Sequence, residues 1–243
     1  MRIDTEGLHY RELNERINEA VDGGETDFVL DNVLGHRYIG TALKEPVRIQ
    51  INGIPGNDLA AFMDGASIVV NSNAQDGTGN TMNGGSIVVH GDAGDILGHS
   101  MRGGSIFVEG LVGYRCGIHC KAFGERLPVM VVGTTAGDYL GEYMAGGVIV
   151  VLNREDREGS PVGRYCGTGM HGGLTYIRGE VEDYQLGAEV AVAEVGEEDW
   201  DRLEEIIRDY CMAFEFDPGR FSPDEFIKLY PWSSRPYGNL YAY

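Results

Sequence analysis

The chain has 243 residues and 37 of them are Gly, roughly twice the usual share of about 7%. Only 8 are Pro and 42% are hydrophobic, which excludes a collagen-like or linker-like chain and leaves room for one sizeable core. With 19 Lys and Arg against 38 Asp and Glu, the formal net charge is −19. That balance argues against sequence-independent binding to nucleic acid and against an anionic membrane surface.

The opening stretch from Met1 to Glu6 holds no apolar signal-peptide core, and no apolar run is long enough to span a bilayer. The chain therefore reads as cytoplasmic. Tyr10, Leu13, Ile17 and Val21 recur at helical spacing and stop at Gly23-Gly24. Residues 1–33 are predicted to form a helical N-terminal cap.

A repeat dominates the middle of the chain. Met63-Asp-Gly-Ala-Ser-Ile-Val-Val70, Met82-Asn-Gly-Gly-Ser-Ile-Val-Val89 and Met101-Arg-Gly-Gly-Ser-Ile-Phe-Val108 start 19 residues apart, with later copies at Met144 and Met170. Ahead of each runs Gly-x-x-Gly-x-x-x-Gly, cleanest at Gly91/Gly94/Gly98 and Gly110/Gly113/Gly117. Aligned on the Met column, the rungs are Leu43, Met63, Met82, Met101, Cys120, Met144 and Met170, at steps of 20, 19, 19, 19, 24 and 26. The last two steps place insertions around 121–127 and 153–161. Such a period is too short for helix-pair repeats and lacks leucine-rich-repeat spacing. One β-rich run per unit, bounded by glycines, suits a parallel solenoid whose coils stack at about 4.8 Å.

The predicted fold is all-β: a single-stranded right-handed parallel β-helix of about seven coils over residues 34–185, with short helical appendages at both ends. Ile68, Ile87, Ile106, Ile149 and Thr175 share one column, and Val70, Val89, Val108, Val151 and Ile177 another. Alternation puts both columns inward. The column between them, Val69, Val88, Phe107, Val150 and Tyr176, faces outward yet is apolar. Its cover is expected to be the chain's own termini or another chain.

Residues 186–243 form the C-terminal segment. Trp200, Leu203, Ile207, Tyr210 and Phe214 make a helical stripe, and Ser222-Pro-Asp-Glu225 reads as a capping box opening a short helix. The aromatic tail from Tyr230 to Tyr243 is expected to pack on the coil surface or on a partner.

Few residues suggest chemistry. Cys116, His119 and Cys120 lie close in sequence, but Cys120 occupies the Met column, and Cys116 and Cys166 share a column with Ile39, Leu59, Leu97 and Leu140. Cys211 lies beside the apolar stripe of the C-terminal helix. Core thiols are favoured over a metal site. His36, His90, His99, His119 and His171 fall at different phases of the repeat, so stacking is not expected to align them as one ligand ladder. Asp92, Asp95 and Asp138 are expected to order turns through local backbone bonds. Glu194, Glu197, Glu198 and Asp199 read as a solvated charge group at a helix N-terminus. No Gly-x-x-x-x-Gly-Lys-Ser/Thr occurs, and no Gly-x-Gly-x-x-Gly opens an amphipathic helix within a βαβ unit, so the glycines read as periodic turns. No catalytic, cofactor-binding or metal residue is assigned.

The repeat, with the segment Gly113-Tyr-Arg-Cys116-Gly-Ile-His-Cys120-Lys-Ala-Phe-Gly-Glu125, resembles the GXGXG domain of the glutamate synthase large subunit. The likeness runs from about Leu34 to Gly179. It implies a β-helical scaffold encoded as a stand-alone chain, along the ammonia route of a split glutamate synthase-like oxidoreductase in glutamate biosynthesis. It further implies partner chains, a glutaminase and an FMN-containing synthase with iron–sulfur centres, and no cofactor on this chain. A homo-oligomer is also compatible. The alternative is the β-helical subunit of a formylmethanofuran dehydrogenase-type complex. An independent carbohydrate-active β-helix enzyme ranks third, because no column pairs the acids that its chemistry would need.

Overall fold

The computed structural model describes residues 1–44 and 46–233. The chain builds one 11-stranded sheet in the order β1-β2-β3-β4-β5-β6-β7-β8-β9-β11-β10. The strands are β1 (Arg2–Asp4), β2 (Asp27–Leu34), β3 (Arg48–Ile54), β4 (Asp64–Val70), β5 (Gly84–Val89), β6 (Gly104–Val108), β7 (Pro128–Val132), β8 (Ala145–Val151), β9 (Gly172–Arg178), β10 (Val190–Glu194) and β11 (Phe226–Pro231). From β1 to β9 every neighbouring pair is parallel, as a solenoid requires. The register matches the repeat: Ile68, Ile87 and Ile106 lie side by side, then Met130, Ile149 and Thr175. Both inward columns are buried, and so are all seven rung residues.

Seven rungs bound six full turns, so the β-helix makes about six turns rather than seven coils. The ladder also starts before residue 34. β2 pairs in parallel with β3, and β1 lies outside β2. Thus the N-terminal 33 residues carry strand as well as the helix α1 (Tyr10–Asp22), which buries Leu13 and Ile17 and ends at Gly23. The insertion at 121–127 folds into a turn closed by a Phe123–Arg126 bridge. At the far end β11 pairs antiparallel to β9, and β10 antiparallel to β11. Ser222 does open a capping box, but onto a single 3-10 turn, Pro223–Glu225, that leads straight into β11. The aromatic tail beyond Ser233 lies outside the described residues.

The glycine pattern has two distinct causes. Gly94 exists because a Cβ there would lie 2.2 Å from Asp76 Oδ1 of the previous coil. Gly98 has φ +64, and its Cβ would strike Met130 Sδ at 2.5 Å. The first case is close approach between coils, and the second adds a left-handed backbone to a full core. Left-handed residues also sit five and one positions before the rungs, among them Ile96, Ser100, Arg115, His119, Tyr139 and Tyr143. Each donates its backbone N–H forward to the next coil, as in Ile96 to Tyr114 O (2.8 Å) and Ser100 to Ile118 O (2.9 Å). By contrast Gly98 and Arg102 donate back to Thr78 O and Met82 O. The inverted conformation lets one turn bond to both neighbours, and these bonds offset its steric cost.

Candidate functional site

The outward stripe is the first surface a partner could use, and the chain covers most of it. Helix α2 (Glu197–Phe214) lays Leu203, Ile207, Tyr210, Cys211 and Phe214 on the later coils. Beneath it Phe107, Val131, Val148, Val150, Leu152 and Tyr176 are buried. Phe107 meets the Tyr210 ring edge-on at 5.9 Å, and the Tyr210 hydroxyl donates to Val108 O at 3.4 Å. Val88 is half-buried at the edge of this cluster, and Val69 is half-buried beyond it. The stripe is thus a second core for its last three members.

The clamp that seats α2 is polar. Tyr176 Oη donates to Asp199 Oδ1 at 2.8 Å, and Lys228 Nζ donates to Asp199 Oδ2 at 2.5 Å. One carboxylate therefore joins β9, β11 and the first turn of α2. Burial would raise the Asp199 carboxyl, but the Lys228 ammonium and the Tyr176 hydroxyl outweigh it and hold it below the ordinary carboxylate range. Burial, then the Asp199 charge, push the Tyr176 phenol up. Of the acidic group read as solvated, Glu194, Glu197 and Glu198 are exposed and Asp199 is not. Its partners lie 23 and 29 residues away, so no local pattern reveals them.

Cys116, Cys120 and Cys166 occupy the core columns, and Cys211 lies in the cluster beneath α2. Cys116, Cys120, Cys166 and Cys211 are free and buried. Burial pushes the Cys120 and Cys166 thiols up to about 12 and raises Cys116 and Cys211 too. A protonated, enclosed thiol is a poor nucleophile and a poor metal ligand. Among the described residues no three His, Cys, Asp or Glu side chains converge as metal ligands.

One expectation about polar side chains needs correction. Asp92, Asp95 and Asp138 do not order their own turns. Their carboxylates accept from the next coil, at Leu111 N (2.9 Å), Tyr114 N (2.8 Å) and Arg164 N (2.7 Å). Two histidines also meet despite their different phases. His99 and His119 lie 6.0 Å apart between ring centroids, and His119 stacks on Tyr143 at 5.4 Å. Columns two and one before the rung are neighbours across a coil, so side chains at different phases still touch. Burial, then the His119 charge, lower the His99 imidazole.

These rings belong to a face that no sequence motif marked. Tyr38, Phe62, Tyr114, Tyr143 and Tyr165 are exposed on the outside of the left-handed turns. Tyr139 stacks on Tyr165 at 4.9 Å, with the Arg115 guanidinium 4.5 Å from the Tyr139 ring and paired to Glu142 at 2.9 Å. The signal lies in the columns five and one before each rung, with Tyr114 falling six before Cys120. It is weaker than the periodic Met and Ile-Val runs beside it.

A glycine-punctuated parallel β-helix with a clamped C-terminal helix defines the class. The chain belongs to the GXGXG motif family, whose model matches residues 25–229. It is 50% identical over 249 residues to the uncharacterized protein MJ1350 of Methanocaldococcus jannaschii, covering 99% of this chain and 95% of that one. It is also 56% identical over 48 residues to ferredoxin-dependent glutamate synthase 2 of Synechocystis, which is 20% of this chain and 3% of that protein. A chain of the formyltransferase/hydrolase complex FhcABCD from Methylorubrum extorquens, solved with methylofuran, shares the fold at TM-score 0.61 and 20% identity. That match covers 81% of this chain and 70% of the other. Among the described residues no helix is long and apolar enough to cross a membrane.

Proposed function

We propose that the chain is a non-catalytic subunit of a split glutamate synthase-like oxidoreductase. In this reading it joins a glutaminase chain to an FMN-containing synthase chain and lies along the route of glutamine-derived ammonia. The carrying observation is the membership in the GXGXG family together with the 56% identity over 48 residues to a glutamate synthase. The four thiols are enclosed and protonated, so none is poised as an amidotransferase nucleophile. In this reading FMN and iron–sulfur chemistry belongs to the partner chains.

The surface offered to those partners is the aromatic turn face, not the stripe, because α2 covers Phe107, Val150 and Tyr176. Exposed aromatic groups with a paired Arg are the composition of interface anchors. The test is co-purification with glutaminase and flavin chains from the same organism, comparing wild type with Tyr143→Asp/Tyr165→Asp. Loss of assembly in a variant that unfolds at the wild-type temperature supports the reading, and unchanged assembly refutes the surface.

The fold match to a chain of a formyltransferase/hydrolase complex, spanning 81% of this chain, favours a second reading. In it, the same scaffold serves a formylmethanofuran dehydrogenase-type assembly. Molybdenum or tungsten subunits encoded beside it, in place of a glutaminase and a flavin chain, would select that reading.

A further inference from the structure

The residue after each rung forms a column whose backbone donates to the previous coil: Asn83 to Met63 O, Arg102 to Met82 O and Lys121 to Met101 O. Arg102 and Lys121 therefore stand on consecutive coils, about 4.8 Å apart along the axis. Neither has an ion-pair or hydrogen-bond partner for its side chain among the described residues. Both differ in this from Arg2, Arg115, Arg126, Arg154 and Arg178, which pair with carboxylates in this chain of charge −19. Two cations on neighbouring coils repel, and Glu125 is the one acid among the residues that line the space beside them.

The insertion at 121–127 turns this column into a pocket. Its turn folds back so that Arg126 crosses Gly103, where a Cβ would meet Arg126 Cβ at 2.9 Å. Arg126 is anchored to Asp64 Oδ1 at 2.9 Å and to Asn83 O at 3.2 Å. The result is a cavity of about 730 Å³ lined by Asn83, Arg102, Lys121, Phe123, Glu125 and Arg126, within the size range of small-ligand sites. Three of its four charged groups are cations, Glu125 being the exception.

We propose that this pocket binds a small oxyanion, a molecule bearing carboxylate or phosphate groups, through Arg102 and Lys121 with Asn83 supplying an amide donor. A dianion placed between the two cations converts their repulsion into two charge-assisted hydrogen bonds. The site stands independently of the proposed partners, since it needs neither a glutaminase nor a flavin chain.

The test is calorimetric titration of the full chain with inorganic phosphate, citrate and a short oligoglutamate peptide at fixed ionic strength. The proposal expects one saturable site for phosphate or citrate, with Kd below about 1 mM. Arg102→Gln/Lys121→Gln should weaken it at least about tenfold, and its unliganded melting temperature should stay level or rise as the repulsion is removed. No saturation up to about 10 mM, an unchanged Kd in the variant, or a lower melting temperature overturns the proposal. Tighter binding of the peptide than of citrate also overturns it, assigning the site to an acidic segment of a partner instead.

Discussion

Asp199→Asn removes one negative charge from the clamp beneath α2 and keeps the shape of the side chain. Lys228, with its side chain only 21% exposed, then loses its carboxylate, while Tyr176 can still donate to the amide oxygen. A hydrogen bond to a charged group contributes about 1.5–3 kcal/mol, and an orphaned buried partner adds to that loss. We expect a destabilisation of about 2–4 kcal/mol, equivalent to roughly 4–16 °C for a chain of this size. Urea and thermal unfolding followed by circular dichroism would measure it, and a cycle with Lys228→Met would isolate the pair. The sign with pH follows from the lowered Asp199 carboxyl. Its contribution is complete above the unfolded value of about 3.9 and vanishes as pH falls through the native value. The gap between wild type and variant should therefore be widest above about pH 5 and close in acid. A variant within about 0.5 kcal/mol of wild type, or a gap that widens in acid, would refute the clamp.

Other outcomes test the solenoid itself. Ile106 is fully buried between Ile87 and Met130, so Ile106→Asp places an unpaired charge in the core and should leave the chain unfolded by circular dichroism. Gly98→Ala combines a left-handed backbone with a 2.5 Å clash against Met130 Sδ and should cost about 2 kcal/mol or more in chemical denaturation. Thiol titration should find four reactive groups in denaturant and slow labelling of Cys116, Cys120 and Cys166 in the native chain, since all three are buried.

The solenoid was legible because its period is a physical constraint. Met63, Met82 and Met101 can stack only if each coil spends the same number of residues, and both insertions fell where the steps lengthen. β2 escaped notice because Phe28, Leu30 and Val33 carry the inward pattern without the Gly-Gly-Ser lead, as a terminal coil can. β10 and β11 alternate too weakly to stand out beside the repeats. The stripe of α2 showed which of its faces would be buried, but not where it would sit. Its seat combines the apolar cluster over Phe107, Val150 and Tyr176 with the bonds of Asp199 to Tyr176 and Lys228, all contacts between distant residues. The cross-coil bonds of Asp92 and Asp95 span 19 residues, the repeat period itself, and a local reading of turns concealed them. The basic pocket needs the 121–127 turn to close over Arg102 and Lys121, which composition alone does not show.

In the proposed complex this chain completes an enzyme without performing its chemistry. The direct measurement is steady-state glutamate formation from glutamine and 2-oxoglutarate with a reduced electron donor, using separately purified scaffold, glutaminase and flavin chains. A scaffold role predicts no turnover by this chain alone and glutamine-dependent synthesis only when all three are combined. Turnover by this chain by itself, or full glutamine-dependent activity in its absence, would contradict it.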